Sequence, residues 1–93
     1  MAASVLTAPM ASIGVPKEIK VDEQRVALTP DAVRELASHG LEVRIESGAG
    51  AGAGIGDEAY AAAGAQVVDR DQAWSAHLVV KVKEPQPEEF GLL

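Results

Sequence analysis

Strand-like and helix-like segments alternate along this 93-residue sequence, which predicts an α/β fold with a parallel sheet of about four strands and flanking helices. Two further observations favour this class. The hydrophobic share is 47% and comes mostly from Ala and Val, whose small side chains let helices pack closely on a buried sheet. The length suits one small domain with a modest core, because a short chain buries a limited fraction of its surface.

The first half of the chain supplies two predicted strands and one helix. The Ile-Gly-Val run at residues 13–15 predicts a strand that ends at Pro16, and a charged loop follows. Thr29 is the expected N-cap of a helix with Pro at its first position, and His39 with the next glycine ends it. Residues 41–46 alternate apolar and charged side chains, which predicts a strand with one wet face nearer the sheet edge.

The second half begins with a glycine–alanine loop at residues 47–56. Asp57 opens a second helix, which stops at Gly64. The later elements are a strand at 65–68, a short helix at 71–75, a strand at 78–83 and a helix from residue 87. We interpret Glu88 and Glu89 as a solvated start of that last helix.

Residues 1–12 precede the first strand and carry no charged side chain. A secretory signal has a basic start and a longer apolar core, and a mitochondrial presequence has Arg; this segment has neither. We expect a disordered leader over residues 1–12 and the domain over residues 13–93, with a targeting segment as the alternative.

Charge and composition exclude several classes of function. The formal net charge of −6 argues against nucleic acid and anionic membranes, because phosphates attract clustered Lys and Arg. The absence of Cys excludes disulfides, thiolate metal sites and Cys nucleophiles. No apolar run approaches the roughly 18 residues of a membrane helix. His39 and His77 are too far apart in sequence to suggest a ligand pair, so no metal site is predicted.

The glycine loop has two interpretations, a turn or a phosphate contact. Glycine recurs at every second position from Gly48 to Gly56, so no set matches the G-x-G-x-x-G dinucleotide fingerprint, and no G-K-[ST] P-loop occurs. Asp57 and Glu58 directly after the loop would repel a phosphate. We favour the turn and keep phosphate contact as the alternative.

Two basic residues are predicted beyond the carboxyl ends of strands, where open parallel sheets bind ligands. Arg25 follows the first strand close to Val26 and Leu28, which predicts partial burial. Lys83 is the last residue of the predicted fourth strand, with Lys81 on the same face. Arginine binds a carboxylate through two parallel hydrogen bonds, and lysine polarises a carbonyl oxygen. The pair suits a small 2-oxo acid; the alternative is two surface residues without a function.

Six motifs follow one another along the chain. They are I-G-V-P-K-E at 13–18, E-x-R-V-A-L-T-P at 23–30, V-x-I-E-x-G-A-G at 43–50, A-Y-x-x-A-G-A at 59–65, Trp74, and V-K-V-K-E-P at 80–85. In this order and spacing they resemble the N-terminal region of the alanine dehydrogenase family, over nearly everything but residues 1–12. The resemblance implies a Rossmann-like substrate domain.

This resemblance implies an NAD-dependent oxidoreductase that converts L-alanine, NAD and water reversibly to pyruvate, ammonia and NADH. In that family the arginine of E-x-R-V-A binds the substrate carboxylate, which is Arg25 here. The second lysine of K-V-K-E-P binds the substrate carbonyl oxygen, so Lys83 is the expected catalytic and substrate-binding residue. A cytoplasmic enzyme is implied, and since family members are usually homo-hexamers, a homo-oligomer is expected of the longer protein.

The family's histidine acid/base, its dinucleotide-binding Rossmann domain and its catalytic aspartate come later than the part this chain resembles. We therefore expect a truncated domain that lacks the NAD-binding half and is inactive alone. One alternative is the alpha subunit of proton-translocating nicotinamide nucleotide transhydrogenase, which typically has Asn in place of Lys83 and lacks the Glu-Pro that follows. Others are lysine-ketoglutarate reductase and saccharopine dehydrogenase, or a non-catalytic module that binds a small oxo acid or a full-length subunit.

Overall fold

The computed structural model describes residues 11–93, and a four-stranded parallel sheet is its framework. The strands are β1 (Ser12–Val15), β2 (Glu42–Glu46), β3 (Gln66–Val68) and β4 (Leu78–Val79). They lie side by side in the order β3-β2-β1-β4, so β1 has β2 on one side and β4 on the other. The predicted α/β class with a parallel sheet is confirmed.

The predicted leader lies outside the described residues except for its last two. β1 includes Ser12, so the first strand begins one residue earlier than predicted. The backbone N–H of Ser12 donates to Nδ1 of His77 at 3.0 Å, and the His77 N–H donates to the Ser12 hydroxyl at 2.9 Å. These two bonds join Ser12, at the start of β1, to His77, the residue that precedes β4.

Three short α-helices and two 3₁₀ segments accompany the strands within residues 11–93. They are α1 (Pro30–Ser38), α2 (Asp57–Ala62), α3 (Arg70–Trp74) and the 3₁₀ segments Ala51–Ala53 and Pro87–Leu92. α1 begins as predicted, because the Thr29 hydroxyl accepts from the N–H of Ala32 at 3.3 Å, and His39 is its C-cap. No helix in this part of the chain has the length and apolar character needed to cross a membrane.

The predicted C-terminal helix is a 3₁₀ segment, Pro87–Leu92. Its first turn is closed by the N–H of Glu89, which donates to the carbonyl of Gln86 three residues earlier at 2.8 Å. The predicted start near residue 87 agrees with the structure.

Two strand predictions are wrong. β2 lies inside the sheet, not at its edge, because it pairs with β1 on one side and with β3 on the other. Arg44 on its polar face pairs with Glu42 and donates to the Gln72 carbonyl and the Ser75 hydroxyl at 3.1 Å each. The end of α3 thus covers the polar face of β2. β4 ends at Val79, and the bond from the Val80 N–H to the Gly14 carbonyl at 2.9 Å is the last from this region to β1.

The main core lies between one face of the sheet and the helices α1 and α2. Its buried members are Val15, Val33, Val43, Ile45, Ala49, Tyr60 and Ala63. The Tyr60 hydroxyl donates to the Leu28 carbonyl at 2.7 Å, which anchors the chain just before α1. On the opposite face α3 lies directly on β1, where a Cβ at Gly14 would approach the Ala73 carbonyl oxygen to 1.8 Å.

Candidate functional site

Two chain segments leave the same edge of the sheet and carry the two predicted ligand residues. The arginine segment, residues 16–28, follows β1, and the lysine segment, residues 80–86, follows β4. Because β1 and β4 are neighbouring parallel strands, their carboxyl ends lie together. Lys20 Nζ lies 2.9 Å from Glu84 Oε2 and joins the two segments. The structure therefore brings together the segments that carry Arg25 and Lys83.

Arg25 is exposed and forms a two-pronged ion pair with Glu23. Nε and Nη2 of Arg25 donate to Oε2 and Oε1 of Glu23, each at 2.9 Å. The Arg25 side chain is 68% exposed, whereas the Glu23 side chain is 5% exposed. The predicted partial burial of Arg25 is wrong, because Val26 and Leu28 pack against the core while the guanidinium stays at the surface.

Both predicted cations, Arg25 and Lys83, lower the pKa of the Glu23 carboxylate. Hydrogen bonds from the Arg25 side chain, and then from the Arg25 backbone N–H, hold the pKa of Glu23 at about 2, well below its ordinary value of 4.5. The charge of Lys83 lowers the same pKa by a smaller amount. The hydrogen bonds to Glu23 in turn raise the pKa of Arg25. Arg25 and Lys83 thus act on one acidic group.

Lys81 is buried between two carboxylates instead of lying beside Lys83. Its Nζ lies 2.8 Å from Glu18 Oε1 and 3.9 Å from Glu89 Oε1, and its side chain is 7% exposed. β4 ends at Val79, so the strand alternation that would place both lysines on one face does not reach them. The predicted solvation of Glu89 is also wrong, because the 3₁₀ segment turns this carboxylate toward Lys81.

Lys83 differs from Lys81 in having no carboxylate partner among residues 11–93. Of the eight Lys and Arg residues, only Lys17 and Lys83 form no ion pair within that range. Lys83 lies on the lysine segment four residues after β4, not at the end of the strand as predicted. Its charge therefore remains available for an anionic or polarisable ligand.

A small cavity of about 40 Å³ lies beside Arg25. It is lined by residues of the arginine segment and of the glycine loop: Lys17, Glu18, Glu23, Gln24, Arg25, Gly48, Ala49 and Gly52. Gly52 allows this approach, because a Cβ there would lie 2.3 Å from Gln24 Oε1 and 3.1 Å from the Gln24 carbonyl oxygen. The glycine loop therefore packs against the segment that carries Arg25.

A larger cleft of about 340 Å³ runs along the glycine loop and contains neither Arg25 nor Lys83. At its wall the Asp57 carboxylate accepts from the Gly48 N–H at 2.9 Å and from the Ser47 hydroxyl at 2.8 Å. Both bonds lower the pKa of Asp57, and the bond from Gly48 has the larger effect. Asp57 therefore places a negative charge at the wall of the cleft. This arrangement favours the turn interpretation, because Asp57 already takes the backbone N–H that a phosphate would use.

Sequence reasoning missed the burial of three acidic side chains near Arg25 and the lysine segment: Glu18, Glu23 and Glu89. Local signals existed for two of them, since Glu18 comes directly after the exit from β1 and Glu23 stands two residues before Arg25. Nothing local marks Glu89 as buried. Within residues 11–93 no group of three or more His, Asp or Glu side chains is arranged to hold a metal ion.

The described residues form a parallel α/β domain with two basic residues, Arg25 and Lys83, on segments that follow neighbouring strands. Comparison with known proteins then identifies the family. Residues 14–93 match the model of the alanine dehydrogenase/PNT N-terminal domain, and the chain belongs to this family.

Relatives of known name agree with this assignment. The chain is 57% identical over 79 residues to an alanine dehydrogenase of Bacillus subtilis (strain 168), covering 84% of this chain and 21% of that protein. It is 51% identical over 81 residues to an alanine dehydrogenase of Mycolicibacterium smegmatis (strain ATCC 700084 / mc(2)155), covering 85% and 22%. The chain therefore spans about a fifth of the length of these relatives.

Solved structures show the same fold. An L-alanine dehydrogenase superposes with a TM-score of 0.87 at 55% identity, covering 88% of this chain and 23% of that one. A transhydrogenase from Sinorhizobium meliloti superposes with a TM-score of 0.82 at 36% identity, covering 87% and 24%. The transhydrogenase is thus the less similar of the two.

Proposed function

We propose that this chain forms the N-terminal, substrate-side part of an NAD-dependent L-alanine dehydrogenase, which interconverts L-alanine with pyruvate and ammonia. The observation that carries the proposal is that Arg25 and Lys83 lie on two segments that leave the carboxyl ends of neighbouring parallel strands and are joined by the Lys20–Glu84 ion pair at 2.9 Å. A pair of cations at such an edge suits a substrate with a carboxylate beside a carbonyl group. The enzyme is proposed to be cytoplasmic and homo-oligomeric.

Arg25 is proposed to bind the substrate carboxylate. Its Nε and Nη2 are held by Glu23, and the 68% exposed side chain presents the rest of the guanidinium to solvent. Lys83 is proposed to donate to the substrate carbonyl oxygen, where negative charge develops as the carbonyl carbon is attacked by ammonia. Because Lys81 is neutralised by Glu18, Lys83 is the lysine of this pair that suits the task.

The described residues do not fit a dinucleotide, because Asp57 occupies the Gly48 N–H and adds a negative charge to the glycine-loop cleft. NAD, which would supply the hydride acceptor, is therefore assigned to another part of the longer protein.

The test is to express the longest reading frame that contains this segment and to measure kcat/KM for the amination of pyruvate. We expect Lys83→Ala to lower kcat/KM by about 100- to 1,000-fold, the usual loss when one donor to a developing oxyanion is removed. Arg25→Ala is expected to lower it by about 10- to 100-fold, because charge-assisted hydrogen bonds to the substrate carboxylate are lost. Arg34→Ala is the matched control, since Arg34 is also exposed and paired with an acid, Asp31. Losses of only a few-fold in both site variants would refute the assignment.

A chimeric enzyme provides an independent test of the roles proposed for Arg25 and Lys83. Residues 14–93 replace the matching part of the Bacillus subtilis alanine dehydrogenase, and Arg25→Ala and Lys83→Ala are introduced into that chimera. An active chimera that loses activity with each variant supports the substrate-side role in a known enzyme background.

Two other functions are distinguished by further measurements. The transhydrogenase relationship is supported by the 36% identical structure, but the lysine and Glu-Pro at residues 83–85 favour the dehydrogenase. Hydride exchange between NADH and NADP without pyruvate would favour transhydrogenase. A stand-alone binding module predicts that the 93-residue chain binds pyruvate more tightly than about 10 mM by calorimetry, roughly 3 kcal/mol.

A further inference from the structure

One buried carboxylate contacts three consecutive residues that lead to Lys83. Oε1 of Glu18 lies 2.8 Å from Lys81 Nζ and accepts from the Lys83 N–H at 3.3 Å, while Oε2 accepts from the Val82 N–H at 2.8 Å. The Glu18 side chain is 2% exposed. Both oxygens are therefore committed to the lysine segment, which is 63 to 65 residues away in sequence.

The hydrogen bonds to Glu18 hold the lysine segment at the point where its backbone hydrogen bonds to β1 end. The last bond from the lysine segment to β1 is made by Val80, so the backbone of residues 81–86 leaves the sheet. A buried carboxylate is stable only when cations and N–H groups satisfy it, and Glu18 has one cation and two backbone N–H groups. The same contacts hold the backbone of Val82 and Lys83 in place.

A second acid, Glu89, binds the other end of the lysine segment. Glu89 Oε1 accepts from the Gln86 N–H at 2.9 Å and lies 3.9 Å from Lys81 Nζ, and the Glu89 side chain is 3% exposed. Lys83 thus lies between two tethered points, residues 81–82 and residue 86. Of the two acids, Glu18 accepts from the Lys83 N–H and Glu89 accepts from the Gln86 N–H, which makes Glu89 a matched comparison.

We propose that Glu18 is the positioning residue for Lys83, holding its backbone so that the ammonium group meets the substrate carbonyl oxygen. This inference rests on the role of Lys83 under the proposed function. Glu18 touches no substrate in it; Glu18 acts on the reaction through Lys83. A displacement of about 1 Å at a reacting group can cost about 100-fold in rate, which sets the scale of the expected effect.

The experiment is a double-mutant cycle in the full-length enzyme, with kcat and KM for pyruvate amination measured for the parent, Glu18→Gln, Lys83→Ala and the double variant. The Glu18→Gln change retains the size of the side chain but turns an amide nitrogen toward one of the three donors. We expect Glu18→Gln to lower kcat/KM by about 10- to 100-fold in the parent. In the Lys83→Ala background we expect less than a three-fold further loss, because the group being positioned is gone.

Two variants separate positioning from general damage. Glu18→Asp keeps the charge and is expected to recover part of the lost activity, and it takes the place of Glu18→Gln in the cycle if that variant does not fold. Glu89→Gln disturbs the same buried cluster without touching the Lys83 backbone, and we expect it to change kcat/KM by less than three-fold. Thermal unfolding of each variant shows how much of it is folded during the assay.

Each outcome bears on the inference separately from the proposed function. If Lys83→Ala retains activity, the proposed function fails and the inference fails with it. If Lys83→Ala is inactive but Glu18→Gln behaves like the parent, only the inference is overturned. Equal losses from Glu18→Gln with and without Lys83, or equal losses from Glu89→Gln, would also overturn it, because they indicate a structural role alone.

Discussion

The arginine segment and the lysine segment hold their cations in opposite ways. Arg25 is fixed by a single acid two residues away, in an ion pair whose cation is mostly exposed. The lysine segment is fixed by Glu18, 63 residues before Lys81, and by Glu89, three residues after Gln86. These acids bury the Lys81 side chain and leave Lys83 unpaired within residues 11–93. A local pair orients one side chain with little consequence for folding, whereas a buried cluster makes the fold depend on its charges.

The largest expected effect follows from breaking the buried cluster. Lys81→Met leaves Glu18 and Glu89 as two buried acids without their cation. We expect the free energy of unfolding to fall by about 3–5 kcal/mol, the usual cost of removing one partner of a buried ion pair. Urea unfolding followed by circular dichroism measures it.

Lys83→Met is the control for this prediction, because it removes an unpaired lysine from the same segment. The expected change in the free energy of unfolding is below about 1 kcal/mol. The triple variant Glu18→Gln, Lys81→Met and Glu89→Gln should recover part of the loss, since no buried charge stays unbalanced. Equal losses for Lys81→Met and Lys83→Met would remove the contrast between the two lysines.

An intermediate effect is expected where the arginine segment joins the core. Tyr60 is fully buried, and its hydroxyl donates to the Leu28 carbonyl three residues beyond Arg25. Tyr60→Phe should lower the free energy of unfolding by about 1–3 kcal/mol, because a buried carbonyl loses its donor. The same unfolding experiment tests it, and no change would mean that water replaces the hydroxyl.

The smallest effect concerns the exposed ion pair and appears as a pH dependence. The pKa of Glu23 is lowered from 4.5 to about 2, so ionised Glu23 favours the folded state. This contribution is fully present above pH 4.5 and is lost as the pH falls toward 2. Glu23→Gln should therefore lower the melting temperature at pH 7 and flatten its fall across this window, so that variant and parent converge as the pH approaches 2.

Because Asp57 and Glu84 also have lowered pKa values, from hydrogen bonds to Gly48 and Lys20 respectively, the parent loses stability in acid for several reasons. The informative quantity is the difference in melting temperature between parent and Glu23→Gln at each pH. A difference that stays constant between pH 7 and pH 2 would contradict the assignment of Glu23 to this window.

Predictions from local patterns agreed with the structure where the cause is local. The N-cap at Thr29 depends on a hydroxyl and an N–H three residues apart, and the C-cap at His39 on the end of the same helix. The strands and helices were likewise predicted in the right order from apolar periodicity. Local chemistry did not predict that β2 lies inside the sheet, because the strands that flank it, β1 (Ser12–Val15) and β3 (Gln66–Val68), come from other parts of the chain.

In the candidate site, too, the sequence predicted some features and the tertiary structure determined the others. The amino-acid sequence by itself determined the α/β class and the position of Arg25 after the first strand, because the order of the elements follows from periodicity among neighbouring residues. It did not determine the end of β4, which was predicted at Lys83 and lies at Val79. Only the tertiary structure decided that Lys81 is paired with buried acids while Lys83 is unpaired within residues 11–93. That choice depends on Glu18, 63 residues before Lys81, whose carboxylate is stable inside the protein only with a cation and backbone N–H groups around it.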